Sequence, residues 1–393
     1  MSVYDRLGVA PVVNAKGTAT RLSGGIVRPE VTAAMAEAMG ACVEMGELQA
    51  AASRVIARHT GAEAGLVTSG AAAGLLAGTA ACIARFDPAA MARLPEVGDA
   101  APEIVMVRSQ RNQYDHALRG TGARIVEVGL PDRYAGAGCR DAEPWEIDAA
   151  IGPRTVLVHW VADAQSRPPL AEVVALAHAR GLPVLVDAAA QLPPRSNLHR
   201  FVDDGADLVA FSGGKAIGGP QASGLLCGKR ELVASAALQM LDMDYPDGVF
   251  RPPAAFIDTA ALRGLPPHGI ARPCKVGKEQ IVGLLAALEF FAAESDEDRS
   301  ARLRAPLAEL AAGLADAADL EAAIREGPVP LLVLEATGGA AAAQRLYHAL
   351  VAGTPAIHTD PEELHLGRLV VNPLGLADGD VARILAGLSR SRS

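Results

Sequence analysis

One lysine stands in an unusual setting: residues 211–228 read FSGGKAIGGPQASGLLCG, which places Lys215 inside a run of glycines and small residues. A surface lysine has no need of such neighbours, whereas backbone that must approach a flat, phosphorylated ring closely does. Upstream, LPVLVDAAAQ ends an apolar run in Asp187. That is the pattern of a buried parallel strand with a carboxylate at its C-terminal edge, where open α/β sheets bind their ligands. DLVAFS, residues 207–212, reads as the next strand and delivers Lys215 on the loop after it. Strand then Asp, strand then Ser-x-x-Lys, is an arrangement suited to a Schiff base between Lys215 and pyridoxal 5′-phosphate (PLP). Asp187 would keep the pyridinium nitrogen protonated, making the ring an electron sink. Alone, Lys215 reads as a solvated loop residue and Asp187 as a helix cap; their pairing carries the argument. A Walker A loop is excluded, because GGKA lacks the required spacing and Ala216 offers no hydroxyl to Mg²⁺.

A phosphate also needs a cradle. Ala64–Ala84, AGLVTSGAAAGLLAGTAACIA, is free of charge, and Gly70, Gly74 and Gly78 have Gly-x-x-x-Gly spacing, so it is long enough to imitate a membrane span. Thr68-Ser69-Gly70 breaks it, and a buried strand turning into a helix near Ala71 explains it better. Strand, then Ser69-Gly70-Ala71-Ala72, then helix gathers free N–H groups and the positive end of a helix dipole at one point. The phosphate is expected there, with hydroxyls from Ser69 and Ser212; a plain N-cap by Ser69 is the other reading.

Further candidates surround these. QRNQYDHALRGTGA follows the strand EIVMVRS, and His116 is the candidate for stacking on the cofactor ring, against an equal reading as part of a helix start. Asp163, in HWVADAQSRPP, lies past another strand end, where loop capping is the simpler role. A substrate carboxylate calls for an arginine fork; Arg272 and, second to it, Arg368 are the candidates.

The chain must supply elements that hold these groups. Its 393 residues, 50% hydrophobic and 21% charged, suit one large domain and a smaller one. A net charge of −9 and the lack of any basic run argue against nucleic acid. Cys42, Cys82, Cys139, Cys227 and Cys274 form no Cys-x-x-Cys pair, so neither a disulfide framework nor a metal site is expected. With no targeting pattern in MSVYDRLGVAPVV, the expected location is cytoplasmic.

Residues 1–60 are read as an N-terminal arm, turn-rich from Asn14 and with helices from Pro29 and from Gly46. Residues 61–275 alternate helical patterns with the apolar runs AGLVTS, EIVMVRS, RIVEVG, TVLVHWV, LPVLVD, DLVAFS and SGLLCG, which predicts an α/β domain with a mainly parallel sheet. The stretch 86–102 reads as a surface excursion and 245–274 as a proline-rich crossing. A long helix over 276–294 then leads into a small α+β domain ending at 393. Its expected elements are a helix within 303–325, the strand PLLVLEA, a helix near 340–351, a strand at 366–372 and a last helix from about Asp380. The charged run 294–304 reads as a solvated face.

FSGGKAIGGPQASGLLCGK, VLVDAAAQLPP, RNQYDHALRGTGA, VVNAKGTATRLSGG and RPCKVGKEQIVGLLAALE together resemble the PLP enzymes related to bacterial seryl-tRNA selenium transferase. The shorter branch typified by D-glucosaminate-6-phosphate ammonia-lyase is the closer likeness, over most of 12–289. The resemblance implies a fold-type-I PLP enzyme with Lys215 as the Schiff-base lysine, Asp187 at the pyridine nitrogen and Ser69–Ala72 around the phosphate. It also implies a homodimer with the active site at its interface, so that Asn14, Thr18 and Thr20 of the arm reach cofactor or substrate. The transferase's extra N-terminal region for tRNA has no counterpart before the matching core, so tRNA is not the expected partner. The expected activity is a lyase that removes water and ammonia from a small β-hydroxy 2-amino acid, a sugar-derived one included, to give a 2-oxo acid. Racemisation, aldol cleavage and β-replacement start from the same bound state and stay open, as does a non-catalytic PLP-binding protein.

Overall fold

The computed structural model describes residues 2–130, 141–246 and 248–392; Cys139 lies outside the described residues. Twelve strands are present among them: β1 (Val13–Ala15), β2 (Ala64–Thr68), β3 (Glu103–Val107), β4 (Arg124–Val128), β5 (Thr155–Val161), β6 (Val184–Asp187), β7 (Leu208–Ser212), β8 (Gly224–Gly228), β9 (Leu320–Arg325), β10 (Leu331–Ala336), β11 (Ile357–Thr359) and β12 (Arg368–Val371). All seven apolar runs of 61–228 become strands of one sheet in the order β2-β8-β7-β6-β5-β3-β4. Strands β3 to β7 pair in parallel and β8 runs antiparallel to both its neighbours, so the sheet is mainly parallel as expected. Strands β2, β3, β6 and β8 are buried along their whole length, the mark of a sheet covered on both faces. Edge strand β4 instead exposes Arg124 and Glu127, which blunts it against further pairing.

The charge-free stretch 64–84 divides into β2 and a 14-residue helix, Ala71–Ala84. Its glycine spacing serves the sheet: a Cβ on Gly74 would lie 3.6 Å from Ala210 and Leu226, and one on Gly78 3.3 Å from Leu208. Among the described residues no helix is long and apolar enough to cross a membrane.

The helices Pro29–Met39 and Met45–Thr60 of the arm fall where the proline and apolar spacing put them. The excursion at 86–102 is better anchored than its composition suggests, because Asp87 caps the short helix Pro88–Arg93 and Met91 is fully buried. After the long helix Lys278–Ala293, Ser295 caps a second one, Asp296–Gly313.

The charged run at 294–304 is only partly a solvated face. Arg299 is 2% exposed, stacked on Phe291 and hydrogen-bonded to its carbonyl. Within 303–325 the helix stops at Gly313, and Leu320–Arg325 forms strand β9 at the edge of a small antiparallel sheet, β12-β10-β9. The helices expected near 340–351 and from about Asp380 form as Gly339–Ala352, which packs on this sheet, and Asp380–Arg392, which packs on Gly339–Ala352 and Asp296–Gly313.

A second core accompanies this sheet. It gathers Leu332, Leu334, Leu369, Ile384 and Leu388, and also Val13 and Ala15 of the arm, because β1 pairs in parallel with β11.

Candidate active site

Strand register brings the predicted residues to one sheet edge. Gly224 of β8 faces Thr68 of β2 on one side and Ser212 of β7 on the other, so the Ser69 turn and the Lys215 loop leave the sheet one strand apart. That is a separation of about 10 Å. On the next strand Asp187 is level with Ala210, two residues short of Ser212. The Ser69 turn, the lysine and the carboxylate therefore share one edge of the sheet, at the C-terminal ends of β2, β7 and β6.

Each group is fixed locally. Asp187 is buried, and its Oδ1 accepts from the Ala189 amide at 3.0 Å. Lys215 sits in a turn closed by Gly218 N–H to the Lys215 carbonyl, 2.9 Å, and Gly219 N–H to the Gly213 carbonyl, 2.9 Å. Burial lowers its pKa below the usual lysine value, and the negative charge of Asp187 partly opposes that fall.

The neighbouring glycines have a nearer reason than ligand approach. A Cβ on Gly213 would strike Ser223 and lie 2.5 Å from Leu284 Cδ1, and one on Gly214 would lie 2.7 Å from Gln221 Cα. Protein packing, not the cofactor, requires glycine at these two positions.

At the other turn, Gly70 precedes Ala71–Ala84 with φ 135° and ψ 164°, and no atom lies within 4 Å of where its Cβ would be. The first N–H groups of that helix have no intrahelical acceptor. Ser69 points its hydroxyl elsewhere, donating to the Cys274 carbonyl at 2.9 Å.

The remaining candidates divide. His116 is the second residue of the short helix Asp115–Arg119 and is exposed, while Asp115 before it is buried and paired with Arg111. Asp163 is exposed and accepts from the Gln165 amide, 2.9 Å, the loop-capping role. Asn14 spends its amide donors on the carbonyls of Gly17 and Gly24, both 2.7 Å, and so holds the arm's own turn. Thr18 is half-buried, and Thr20 accepts from Gln221 at 3.1 Å, which lays the arm on the lysine loop of its own chain. Arg272 is bound to Asp242 at 2.7 Å and Arg368 to Glu335 at 2.9 Å.

Sequence patterning does not single out His159, which is buried within β5 with Nδ1 2.9 Å from the Leu185 carbonyl. Burial holds its pKa below the ordinary value, against the charge of Asp187. An imidazole in the middle of an apolar strand, HWV, is the signal that was there to find. Gln191, in the VDAAAQLPP string, donates to the Ala162 carbonyl at 2.6 Å and ties two strand-end loops together.

A family model described as L-seryl-tRNA selenium transferase matches residues 41–243. The chain belongs to this family. Within it, a 5′-C-glycyluridine monooxygenase-decarboxylase of a Streptomyces species is 34% identical over 96% of this chain and 89% of its own. A D-glucosaminate-6-phosphate ammonia lyase of Salmonella typhimurium is 31% identical over 98% and 97%. A solved D-glucosaminate-6-phosphate ammonia-lyase superposes with a TM-score of 0.79 at 29% identity, covering 100% of this chain and 98% of that one. The selenium transferase family fold here is fold type I, and the cofactor is pyridoxal 5′-phosphate. The residues present fit that cofactor. They supply helix-start N–H groups after Gly70, without intrahelical acceptors, for a phosphate, a buried carboxylate at Asp187 for a pyridinium, and a lysine whose amine burial favours in the neutral form.

Proposed function

We propose that this family member is a PLP-dependent lyase acting on a β-hydroxy 2-amino acid carried on a sugar-derived skeleton. The observation that carries the reading is the placement of Lys215, its pKa lowered by burial, on the same sheet edge as Asp187 and the open helix start. The names of two full-length relatives support the substrate class, since glucosaminate and glycyluridine both describe amino acids built on sugars.

The N–H groups at Gly70–Ala72 would hold the phosphate, Asp187 the pyridinium, and His116 the ring face, with Ser69 and Ser212 flanking them. Bound there, PLP supplies an electron sink for the pair left when Cα loses its proton. Lys215, its pKa lowered by burial, would be the base that takes that proton. It then returns a proton to the departing β-hydroxyl, which leaves as water. Hydrolysis of the released enamine consumes a water, so the balance is one amino acid to one 2-oxo acid and one ammonia. In a homodimer the arm around Asn14, Thr18 and Thr20 would border the substrate. The net charge of −9 supports a small-molecule substrate over tRNA.

The test is product analysis on the purified holoenzyme with D-glucosaminate 6-phosphate and a panel of β-hydroxy amino acids. Ammonia and 2-oxo acid should appear in equal amounts, and borohydride should trap the pyridoxyl group on Lys215. Lys215→Ala should lower turnover by at least ~10²–10⁴-fold, the usual worth of a positioned general base. The 34% identity to a monooxygenase-decarboxylase favours a second reading, oxidative decarboxylation, which CO₂ release with O₂ uptake would establish in place of the first.

A further inference from the structure

A 2-amino acid carries its carboxylate on Cα, the atom whose proton Lys215 must reach. The cation that binds this carboxylate must therefore border the same space as Lys215. Arg272 and Arg368 are committed to Asp242 and Glu335. A cavity of about 140 Å³ has Lys215 in its wall, together with Ile26, Arg28, Phe290, Glu294 and Leu374. Arg302 also lines it, but gives Glu294 two hydrogen bonds of 2.7 and 2.9 Å, and Arg299 lies 3.3 Å from the same carboxylate.

Arg28 is the loosest of the three arginines about Glu294. Its Nη2 is 3.8 Å from Glu294 Oε1, beyond hydrogen-bond distance, and its guanidinium rests over the Phe290 ring at 5.5 Å. The backbone beneath it is anchored, because the Arg28 carbonyl accepts from Val31 and Thr32 at the start of the helix Pro29–Met39. A fixed base, a ring that orients the plane, and donors that find no hydrogen-bond acceptor among the described residues describe a guanidinium ready for a planar anion.

Resting on the proposed function above, we propose that Arg28 is the residue that binds the substrate carboxylate, in the cavity it shares with Lys215. The size agrees: at roughly 30 Å³ per water the space holds about five waters. A carboxylate and its nearest carbons fit, while a sugar phosphate must extend outside.

The test compares the holoenzyme with its Arg28→Ala and Arg28→Lys variants by absorbance titration in the visible. The probes are D-glucosaminate 6-phosphate and glucosamine 6-phosphate, which differ in oxidation at C1, and D-glucosaminate without phosphate. Arg28→Ala should weaken binding of both glucosaminates by about 10- to 100-fold, the range for a charged hydrogen-bonded pair. It should leave glucosamine 6-phosphate unchanged, and Arg28→Lys should recover part of the loss. Equal weakening of acid and amine, or none, overturns the assignment. A loss confined to the phosphorylated acid overturns it too, by placing the phosphate at Arg28. Binding that follows the expected pattern without ammonia release removes the lyase reading and leaves the carboxylate assignment standing. A wild-type protein whose spectrum answers to none of the probes overturns both.

Discussion

Two turns leave the same sheet edge with the same residue pair, Ser69-Gly70 following β2 and Ser212-Gly213 at the end of β7, and their glycines mean different things. Around Gly213 the chain is jammed against Ser223 and Leu284, and Lys215 is carried on a loop with no slack. Beyond Gly70 there is open space, and glycine is required by the backbone angle alone. A packed turn fixes the direction of the chain, whereas an open one leaves room beside it. Glycine content in a sequence does not distinguish the two.

The contrast is sharpest in stability. Gly213→Ala should cost ~1–3 kcal/mol by overpacking, measured by urea unfolding of the apoprotein. Leu284→Ala in the same chain should give part of that back, with a coupling of ~0.5–3 kcal/mol in the double-mutant cycle. Gly70→Ala should cost a similar ~1–3 kcal/mol through backbone strain, and no neighbouring truncation should relieve it. Relief by a neighbour at Gly70, or strict additivity at Gly213, would break the comparison.

A smaller effect is expected at Ser69. Its hydroxyl is spent on the Cys274 carbonyl, so Ser69→Ala should lower unfolding stability by ~0.5–1.5 kcal/mol. The loss should be the same with and without PLP; a clearly larger loss in the holoenzyme would show that the hydroxyl turns to the phosphate.

The finest test is the pH dependence of PLP attachment to the apoprotein. Neutral Lys215 is the attacking amine, so the rate should rise with pH and level off at a midpoint below that of free lysine. Asp187 raises the lysine's pKa, so Asp187→Asn should move the midpoint further down. Linkage has the same sign. Between the depressed folded value and the ordinary one the unfolded chain holds the extra proton, so this lysine's contribution makes apoprotein stability rise with pH there.

Much of the large sheet was legible because most of its strands are largely buried and read as apolar runs between turn signals. Asp187 and Lys215 were legible because each closes or follows such a run. Strand β9 was not: Leu-Glu-Ala-Ala-Ile-Arg is made largely of good helix formers, and only pairing with β10 makes it a strand. Nor was Arg299, whose charge suggests solvent until Phe291 and the carbonyls around it are seen. Arg28 escaped for a related reason, because which arginines are already partnered is a property of the fold. Register could not be read either, and it is register that sets Thr68, Gly224 and Ser212 side by side.

The pairing of β1 with β11 has a consequence for how the molecule is made. Lys16 and Asp360, joined at 3.0 Å, are 344 residues apart, and the small core needs Val13 and Ala15 together with Leu388. The large sheet closes on contacts made within 61–228 and can form while the chain is still emerging. Strand β1 cannot pair with β11 until nearly all of the chain is available, and closing so long a loop is slow. During synthesis the residues of β1, among the first made, are among the last to settle.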